Sequence, residues 1–227
     1  MAAASTSSQL SSSLSGQGFH FTHTANITLR DAAETANCTL HVLHVLPPDV
    51  YADQYELVQR PGFSSSLRGT SDLELPVGAV DSEGSVLLLD VELPERREDG
   101  LELVVDVPMH ARYGSPTFGD EPGYYMIKPV PPFGFWACPS SKQPVILDEI
   151  APHIQSEMFP MSSLSIIPDA RSVPSPELVI PVGNLAELAV VDIGTAVVML
   201  FCFIYLAIVS VRTARRLYPT QDTLKTE

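Results

Sequence analysis

Hydrophobic and polar residues alternate along two segments of the chain, residues 85–93 and residues 101–113. In the first segment Leu87 and Leu89 share one face, while Asp90 lies on the other. A period of two is typical of a strand with one face on a core and one face in water. Because only a short charged segment separates the two strands, an antiparallel hairpin is the simplest connection between them.

Further strands are expected where β-branched and aromatic residues gather between turn formers. These segments are residues 19–29, 38–46, 73–75, 124–128, 133–138 and 177–180. Prolines and glycines predict loops at residues 47–57 and 60–71, and an irregular stretch with at most short elements at residues 139–176. About seven to nine short strands in this pattern predict an all-β domain, either a sandwich or a jelly-roll-like fold.

The apolar stretch at residues 193–211 contains no charged side chain. As a helix it reaches ~28 Å, about the thickness of the hydrocarbon core of a bilayer. A buried core helix is the alternative, but basic residues follow the stretch directly, as they do on the cytosolic flank of a membrane span. We therefore expect a membrane-proximal turn and one transmembrane helix over residues 185–211, with a cytosolic tail at residues 212–227.

The N-terminal residues 1–18 are rich in Ser, Ala and Gly, so we expect them to be disordered. The expected β-domain then covers residues 19–184 and lies in a lumen. However, residues 1–18 show neither the basic start nor the continuous apolar stretch of a signal peptide. Two explanations stay open: the start is incomplete or wrongly assigned, or the protein is tail-anchored with its domain in the cytosol.

The charge balance and the motifs exclude several classes of function. The formal net charge of −14 makes nucleic-acid binding a poor hypothesis. The sequence shows no phosphate-binding glycine loop, nucleophile elbow or zinc-type spacing, so it gives no catalytic, cofactor or metal residue. His41 and His44 stand three apart in a predicted strand, as do His20 and His23, so each pair points to opposite faces. We expect these histidines to be polar positions on a sheet.

Two short patterns matter if the domain is luminal. Asn26 and Asn37 each begin an Asn-X-Thr acceptor tripeptide for glycosylation, although such tripeptides also occur by chance. In an oxidising lumen Cys38 and Cys138 would pair and close a loop of about 100 residues, with separate buried thiols as the alternative. That disulfide would hinder modification of Asn37. Cys202 lies in the predicted span and is set aside as a small apolar residue.

Three pieces of the sequence resemble landmarks of the PIG-X family (phosphatidylinositol-glycan biosynthesis class X), in the order that the family has them. LPPDVYADQYEL at residues 46–57 resembles the family signature, PMHARY at residues 108–113 is similar to its strand ending in Arg-Tyr, and IPVG at residues 180–183 is similar to its third landmark. The residues that carry this likeness are Pro48, Tyr51, Asp53, Tyr55, Glu56, Leu57, His110, Arg112, Tyr113, Pro181 and Gly183.

The resemblance implies a single-pass type I protein of the endoplasmic reticulum membrane. It implies a non-catalytic subunit of glycosylphosphatidylinositol (GPI) mannosyltransferase I, which transfers the first mannose from dolichol-phosphate mannose to the GPI-anchor precursor. The partner would be the multispanning catalytic subunit, PIG-M, which depends on this subunit for stability. No cofactor and no small-molecule substrate of its own is implied.

The matching residues are expected to form or support the surface that meets this partner. Tyr51, Tyr55 and Arg112 are the candidate anchors, because Tyr and Arg dominate protein interfaces. Internal support of the loop is an equal alternative for these residues. A luminal carbohydrate-binding or hydrolytic domain also stays open, as does a tail-anchored cytosolic adaptor, which would carry no glycan on Asn26 or Asn37.

Overall fold

A computed structural model gives the fold of most of the chain. The described residues are 7–30, 32–70, 72–94, 100–119, 123–140, 148, 150–154, 158–170 and 177–217. Their contacts divide the chain into two units, which are taken separately below. The β-domain comprises residues 1–115 and 122–182, and the second unit comprises residues 116–121 and 183–227.

The β-domain contains three antiparallel sheets. The first sheet has the order β1 (Gln9–Gln17), β2 (His20–Leu29), β7 (Leu101–Ala111) and β4 (Val50–Tyr51). The second has the order β10 (Ser162–Ile167), β9 (Phe133–Pro139), β3 (Thr39–Leu46), β6 (Ser85–Val91) and β5 (Phe63–Arg68). The third pairs β11 (Leu178–Pro181) with β8 (Tyr124–Ile127). A four-residue helix, α1 (Gln54–Leu57), follows β4.

One hydrophobic core lies between the two larger sheets. Ile27 and Val107 enter it from the first sheet, and Leu40, Leu89 and Trp136 enter it from the second. Two sheets that share one core in this way form a β-sandwich. The predicted all-β domain with one C-terminal apolar helix is thus confirmed.

The outer face of the second sheet is also buried. Leu43, Phe135 and Leu164 point outward from this sheet and pack with Ile150 and Phe159 in a second apolar cluster. Both faces of β3 are therefore covered, and this accounts for its nearly continuous apolar sequence.

The predicted hairpin between residues 85–93 and residues 101–113 is wrong. Both strands form, as β6 and β7, but β6 pairs with β3 and β5, whereas β7 pairs with β2 and β4. Alternation marks the face of each strand that meets the core, and here two opposite sheets meet the same core. Residues 95–99 of the connection lie outside the described part of the chain.

The expected disorder of residues 1–18 is wrong for Gln9–Gln17, which forms β1. This strand pairs with β2 along its whole length, and Leu10 is buried in the core. Backbone pairing and the core contacts of Leu10 and Leu14 order a serine-rich strand that composition alone marks as disordered. Residues 1–6 lie outside the described residues.

Three smaller expectations also need correction. The loop predicted at residues 60–71 contains β5, an edge strand. Three consecutive serines in this strand leave it with few apolar residues. The strand predicted at residues 73–75 does not form. The carbonyl oxygens of Asp72 and Leu75 instead accept hydrogen bonds from the side chain of Arg112. The loop predicted at residues 47–57 includes β4 and α1. The described residues thus hold eleven strands, more than the sequence suggested.

The second unit is built on a long helix, α2 (Leu188–Leu217). A 3₁₀ turn at Leu185–Glu187 precedes it, and the Asn184 side chain caps this turn by accepting from the amide of Ala186 at 2.9 Å. The helix is long and apolar enough to cross a membrane, and it extends beyond both ends of the span predicted at residues 193–211. Residues 218–227 of the expected tail lie outside the described residues.

Candidate functional site

The segment after β3 folds back onto the end of β7. Val50 and Tyr51 form β4 and pair with Ala111 and His110. The chain then enters α1, whose N-cap is Asp53: its carboxylate accepts from the amide of Tyr55 at 2.8 Å. Two of the three family-like landmarks, residues 46–57 and residues 108–113, therefore lie side by side.

His110 connects this segment to β2. Its Nε2 lies 2.9 Å from a carboxylate oxygen of Glu56, and its Nδ1 lies 2.8 Å from Nδ1 of His20. Its ring stacks on Tyr51 with the ring centroids 5.1 Å apart. Partial burial acts to raise the pKa of Glu56, but the hydrogen bonds from His110 and Arg60 outweigh it and hold that pKa below its usual value.

Arg112 is the structural centre of the site. Its side chain is only 2% exposed, and its Nη1 donates to the carbonyl oxygens of Asp72 at 2.7 Å and Leu75 at 3.0 Å. The guanidinium carbon lies 4.8 Å from the ring centroid of Tyr51, a cation–π distance. Burial lowers the pKa of Arg112, whose reference value is high enough for it to stay charged. We call Tyr51, Glu56, His110 and Arg112 the motif cluster.

The third landmark reaches the motif cluster through Tyr125, a residue that sequence reasoning missed. Tyr125 pairs with Ile180 in the small sheet, and its hydroxyl donates to the carbonyl of Arg112 at 2.9 Å. Burial raises the pKa of Tyr125 to about 12, so the phenol keeps its proton. A Cβ at Gly114 would lie 2.6 Å from the Tyr125 ring, and the glycine therefore leaves room for it. The signal available in the sequence was the tyrosine pair before Met126.

The predicted anchors differ in how they meet solvent. Tyr55 is 80% exposed, Tyr51 is half-buried, and Arg112 is buried. Arg112 therefore supports the site from inside, and its expected direct contact with a partner does not fit this structure. Tyr113 is 71% exposed and packs against Phe19, with the ring centroids 4.9 Å apart.

The other residues that match the family landmarks have structural positions in the backbone. Leu57 is buried under α1, Pro48 helps to end β3, and Pro181 closes β11 opposite Tyr124. Gly183 belongs to the second unit, where its carbonyl accepts from the amide of Thr117 at 2.9 Å.

The arrangement is suited to recognition by an exposed aromatic surface on a rigid support. Among the residues that the structure describes, no three His, Cys, Asp or Glu side chains are placed to hold a metal ion. Glu56, His110 and His20 form a hydrogen-bonded chain of three groups, and stacking with Tyr51 fixes its middle member. This chain joins α1, β7 and β2, so its evident role is to fix the orientation of α1.

The two luminal patterns have defined positions in the structure. A disulfide joins Cys38, immediately before β3, to Cys138 in β9, with their Cα atoms 4.2 Å apart. Asn26 and Asn37 are both exposed, Asn26 on the outer face of β2 and Asn37 immediately before the disulfide. Both acceptors are therefore accessible to modifying enzymes, and their glycosylation stays a prediction.

Two of the histidines expected as polar positions on a sheet lie in the core. His23 from β2 and His44 from β3 meet between the sheets with ring centroids 5.2 Å apart. Burial lowers the pKa of His23 to about 4 and the pKa of His44 well below its usual value. Both rings are therefore neutral at pH 7. The alternation within each strand can be predicted from the sequence, but not which faces of β2 and β3 lie opposite each other.

Comparison with known families decides what these landmarks belong to. The family described as PIG-X / PBN1 matches residues 16–211, a range that takes in the motif cluster, Tyr125 and most of α2. The chain belongs to the PIG-X / PBN1 family. The protein named pbn1 of Neurospora crassa is 38% identical over 112 residues, which cover 46% of this chain and 22% of that protein. The protein named pbn1 of Schizosaccharomyces pombe is 25% identical over 178 residues, covering 74% and 49%.

The chain spans about a fifth and about half the length of these two PBN1 relatives, respectively. No solved structure matches it. The family and the apolar helix α2 together indicate a membrane protein.

Proposed function

We propose that this chain is the non-catalytic stabilising subunit of GPI mannosyltransferase I in the endoplasmic reticulum membrane. In this role it supports transfer of the first mannose from dolichol-phosphate mannose to the GPI-anchor precursor. Its partner is the multispanning catalytic subunit, PIG-M. The β-domain lies in the lumen and α2 crosses the membrane once.

The observation that carries the proposal is the convergence of the family landmarks. Segments that are far apart in sequence, around Tyr51, His110 and Ile180, are joined by short hydrogen bonds and ring contacts into one rigid site. The site is internally braced, yet it leaves Tyr55 and Tyr113 exposed. Rigid, exposed aromatic side chains supply contact area at low entropic cost, which suits a protein interface.

A stabilising subunit acts by binding the folded form of its partner. Binding to that form shifts the equilibrium away from unfolded or degraded protein by mass action. Such a role requires a stable, specific surface and no catalytic group in this chain. The bracing of α1 by Glu56 and His110 supplies that stability next to the exposed Tyr55.

The experiment replaces the exposed aromatics and leaves the motif cluster intact. We expect Tyr55→Ala together with Tyr113→Ala to lower the abundance of the catalytic subunit and the amount of GPI-anchored protein at the cell surface. Immunoblotting of PIG-M and flow cytometry of a GPI-anchored reporter give the two readouts. The control is Val104→Ala, since Val104 is an exposed apolar side chain on β7 away from the motif cluster.

The proposed surface would be refuted if the double variant were folded, present at the normal level and still gave normal PIG-M abundance. Loss of PIG-M with the Val104 control as well would show a general effect on the domain. A direct effect also requires that the double variant no longer co-purifies with PIG-M from detergent-solubilised membranes.

The proposed orientation has its own test. In a luminal domain, Asn26→Gln and Asn37→Gln should each remove one glycan, seen as a step in electrophoretic mobility that glycosidase treatment also produces. Wild-type protein without any glycosidase-sensitive step would favour the tail-anchored alternative.

A further inference from the structure

The small sheet carries three cross-strand pairs on its outer face. Lys128 and Glu177 form a salt bridge at 2.8 Å at one end of the sheet. The next outward pair is Met126 with Val179, and the last is Tyr124 with Pro181. Apart from the ion pair, every side chain on this face is apolar or aromatic.

These side chains are exposed although the opposite face of the same sheet is well covered. Tyr124, Met126 and Val179 are each about half exposed, while Ile127, on the inner face, is buried in the core. Directly opposed side chains lie only ~5 Å apart, so the two apolar pairs make one continuous patch. A patch of adjacent large apolar side chains at the surface of a domain marks a contact site.

The chain order relates this patch to the membrane. Strand β11 ends at Pro181 and α2 begins at Leu188, so the connecting backbone can extend to about 25 Å at most. The ion pair lies at the end of the sheet that is remote from α2 along the chain, and the Tyr124–Pro181 pair lies at the end where the chain leaves for α2. Polarity on this face therefore decreases toward Pro181, where the chain leaves the sheet.

The chemistry of the patch fits a lipid surface. Tyrosine side chains favour the membrane interface, where the ring lies among apolar groups and the hydroxyl reaches water. Methionine, valine and proline add apolar area without a charge. Because Lys128 and Glu177 neutralise each other, the face requires no anionic lipid.

We propose that the outer face of the β8–β11 sheet rests on the lipid surface, with Tyr124, Met126, Val179 and Pro181 at the boundary of headgroups and acyl chains. The proposal rests on α2 crossing the membrane, and it is independent of the mannosyltransferase role. This lipid contact holds the β-domain close to the bilayer.

The test measures lipid contact directly in the full-length chain. With Cys202→Ser as background, Met126→Cys is labelled with an environment-sensitive fluorophore, and the protein is reconstituted alone into phosphatidylcholine nanodiscs. A second set of nanodiscs contains phosphatidylcholine with a spin-label quencher at the top of the acyl chain. Val104→Cys is the matched control, an exposed strand position on the outer face of the first sheet.

We expect the quencher lipid to cause a loss of fluorescence at position 126 and not at position 104. Val179→Cys, on the neighbouring strand, should repeat the result for position 126. Equal fluorescence with and without the quencher at positions 126 and 179 would overturn the proposal. A second result would also overturn the proposal: position 126 is not quenched by lipid and becomes shielded only after co-reconstitution with the catalytic subunit. That result would assign the face to a protein contact.

Discussion

Arg112 shows how a single buried charge organises the landmark region. Its guanidinium satisfies two backbone carbonyls of residues 72–75, its ring contact is with Tyr51, and its own backbone joins Asp49 and Tyr125. The family likeness pointed to this residue, and the structure shows that it faces inward. A buried group with several partners is costly to remove, because each partner is then left without its hydrogen bond.

Replacing Arg112 should therefore cost much more stability than replacing a surface arginine. We expect Arg112→Ala to lower the free energy of unfolding by about 3 kcal/mol, since the carbonyls of Asp72 and Leu75 lose their donor and Tyr51 loses its cation–π contact. Arg60→Ala is the matched control: its ion pair with Glu56 is partly exposed and is worth roughly 0.5 kcal/mol. Urea unfolding of the detergent-solubilised protein measures both, and equal losses would contradict the assigned role of Arg112.

The buried pair His23 and His44 makes stability depend on pH. The pKa of His23 is about 4 in the folded domain against 6.5 ordinarily, so below pH 6.5 the unfolded chain binds a proton that the folded chain does not. Stability is therefore full above about pH 6.5, falls as the pH drops toward 4, and then levels. The lowered pKa of His44 acts in the same direction.

Removing one titrating ring should flatten this dependence. We expect the wild-type domain to lose about 3 kcal/mol through His23 between pH 6.5 and pH 4, and His23→Phe to lose correspondingly less. Phenylalanine preserves the ring shape, so the change at neutral pH should stay under about 1.5 kcal/mol. Urea midpoints at both pH values give the comparison. An identical pH slope in wild type and variant would rule out this source of acid sensitivity.

At the scale of elements, the β1–β2 hairpin depends on two glycines with different surroundings. Gly16 has φ +99° and a Cβ there would lie 2.8 Å from the carbonyl oxygen of His20, whereas Gly18 has φ +67° and open space around it. Both positions are strained for other residues, but only Gly16 is also sterically closed.

Gly16→Ala should therefore destabilise the hairpin more than Gly18→Ala. We expect a cost of about 1–2 kcal/mol from positive φ in both variants, with a further cost at Gly16 because the backbone must move. Amide hydrogen exchange along β1 reports the local effect. Protection that falls equally in the two variants would show that the contact with His20 does not matter.

The elements also show what sequence can and cannot predict. Period-two alternation located β6 and β7 correctly, because the buried face of a strand is a local property of its residues. It could not assign their partners, since strands from opposite sheets present the same pattern to a shared core. Strands β1 and β5 were missed because their serines hide the apolar positions, and pairing with β2 and β6 supplies most of their order.

At the scale of the whole molecule, the disulfide joins two strands that are far apart in the chain. Cys38 and Cys138 are separated by 100 residues, so the bond strongly restricts the unfolded state. We expect Cys38→Ser with Cys138→Ser to lower the free energy of unfolding by about 4–5 kcal/mol on the chain-entropy account. Cys202→Ser in α2 is the control and should leave the β-domain unchanged. A double variant as stable as the control would contradict this estimate.

The candidate site could be predicted only in part for a related reason. The likeness to PIG-X identified Tyr51, Tyr55, His110 and Arg112 as a set, and the structure brings their segments together. Which of them reach solvent depends on packing against Asp72 and Tyr125, contacts that no local pattern encodes. The exposed face of the small sheet likewise became visible only when β8 was seen to pair with β11.

The long separation of the two cysteines also delays formation of the disulfide during synthesis. If the chain enters an oxidising lumen as it is made, the ribosome needs about 5–20 s to add the 100 residues between Cys38 and Cys138. Through that interval the Cys38–Cys138 bond cannot form, and the neighbouring Asn37 is on a chain that the bond does not yet restrain, open to glycan transfer. Closure of the bond beside Asn37 therefore limits the time available for glycan transfer to this acceptor. Asn26 lies outside the loop that the disulfide closes, so the disulfide sets no such limit for it.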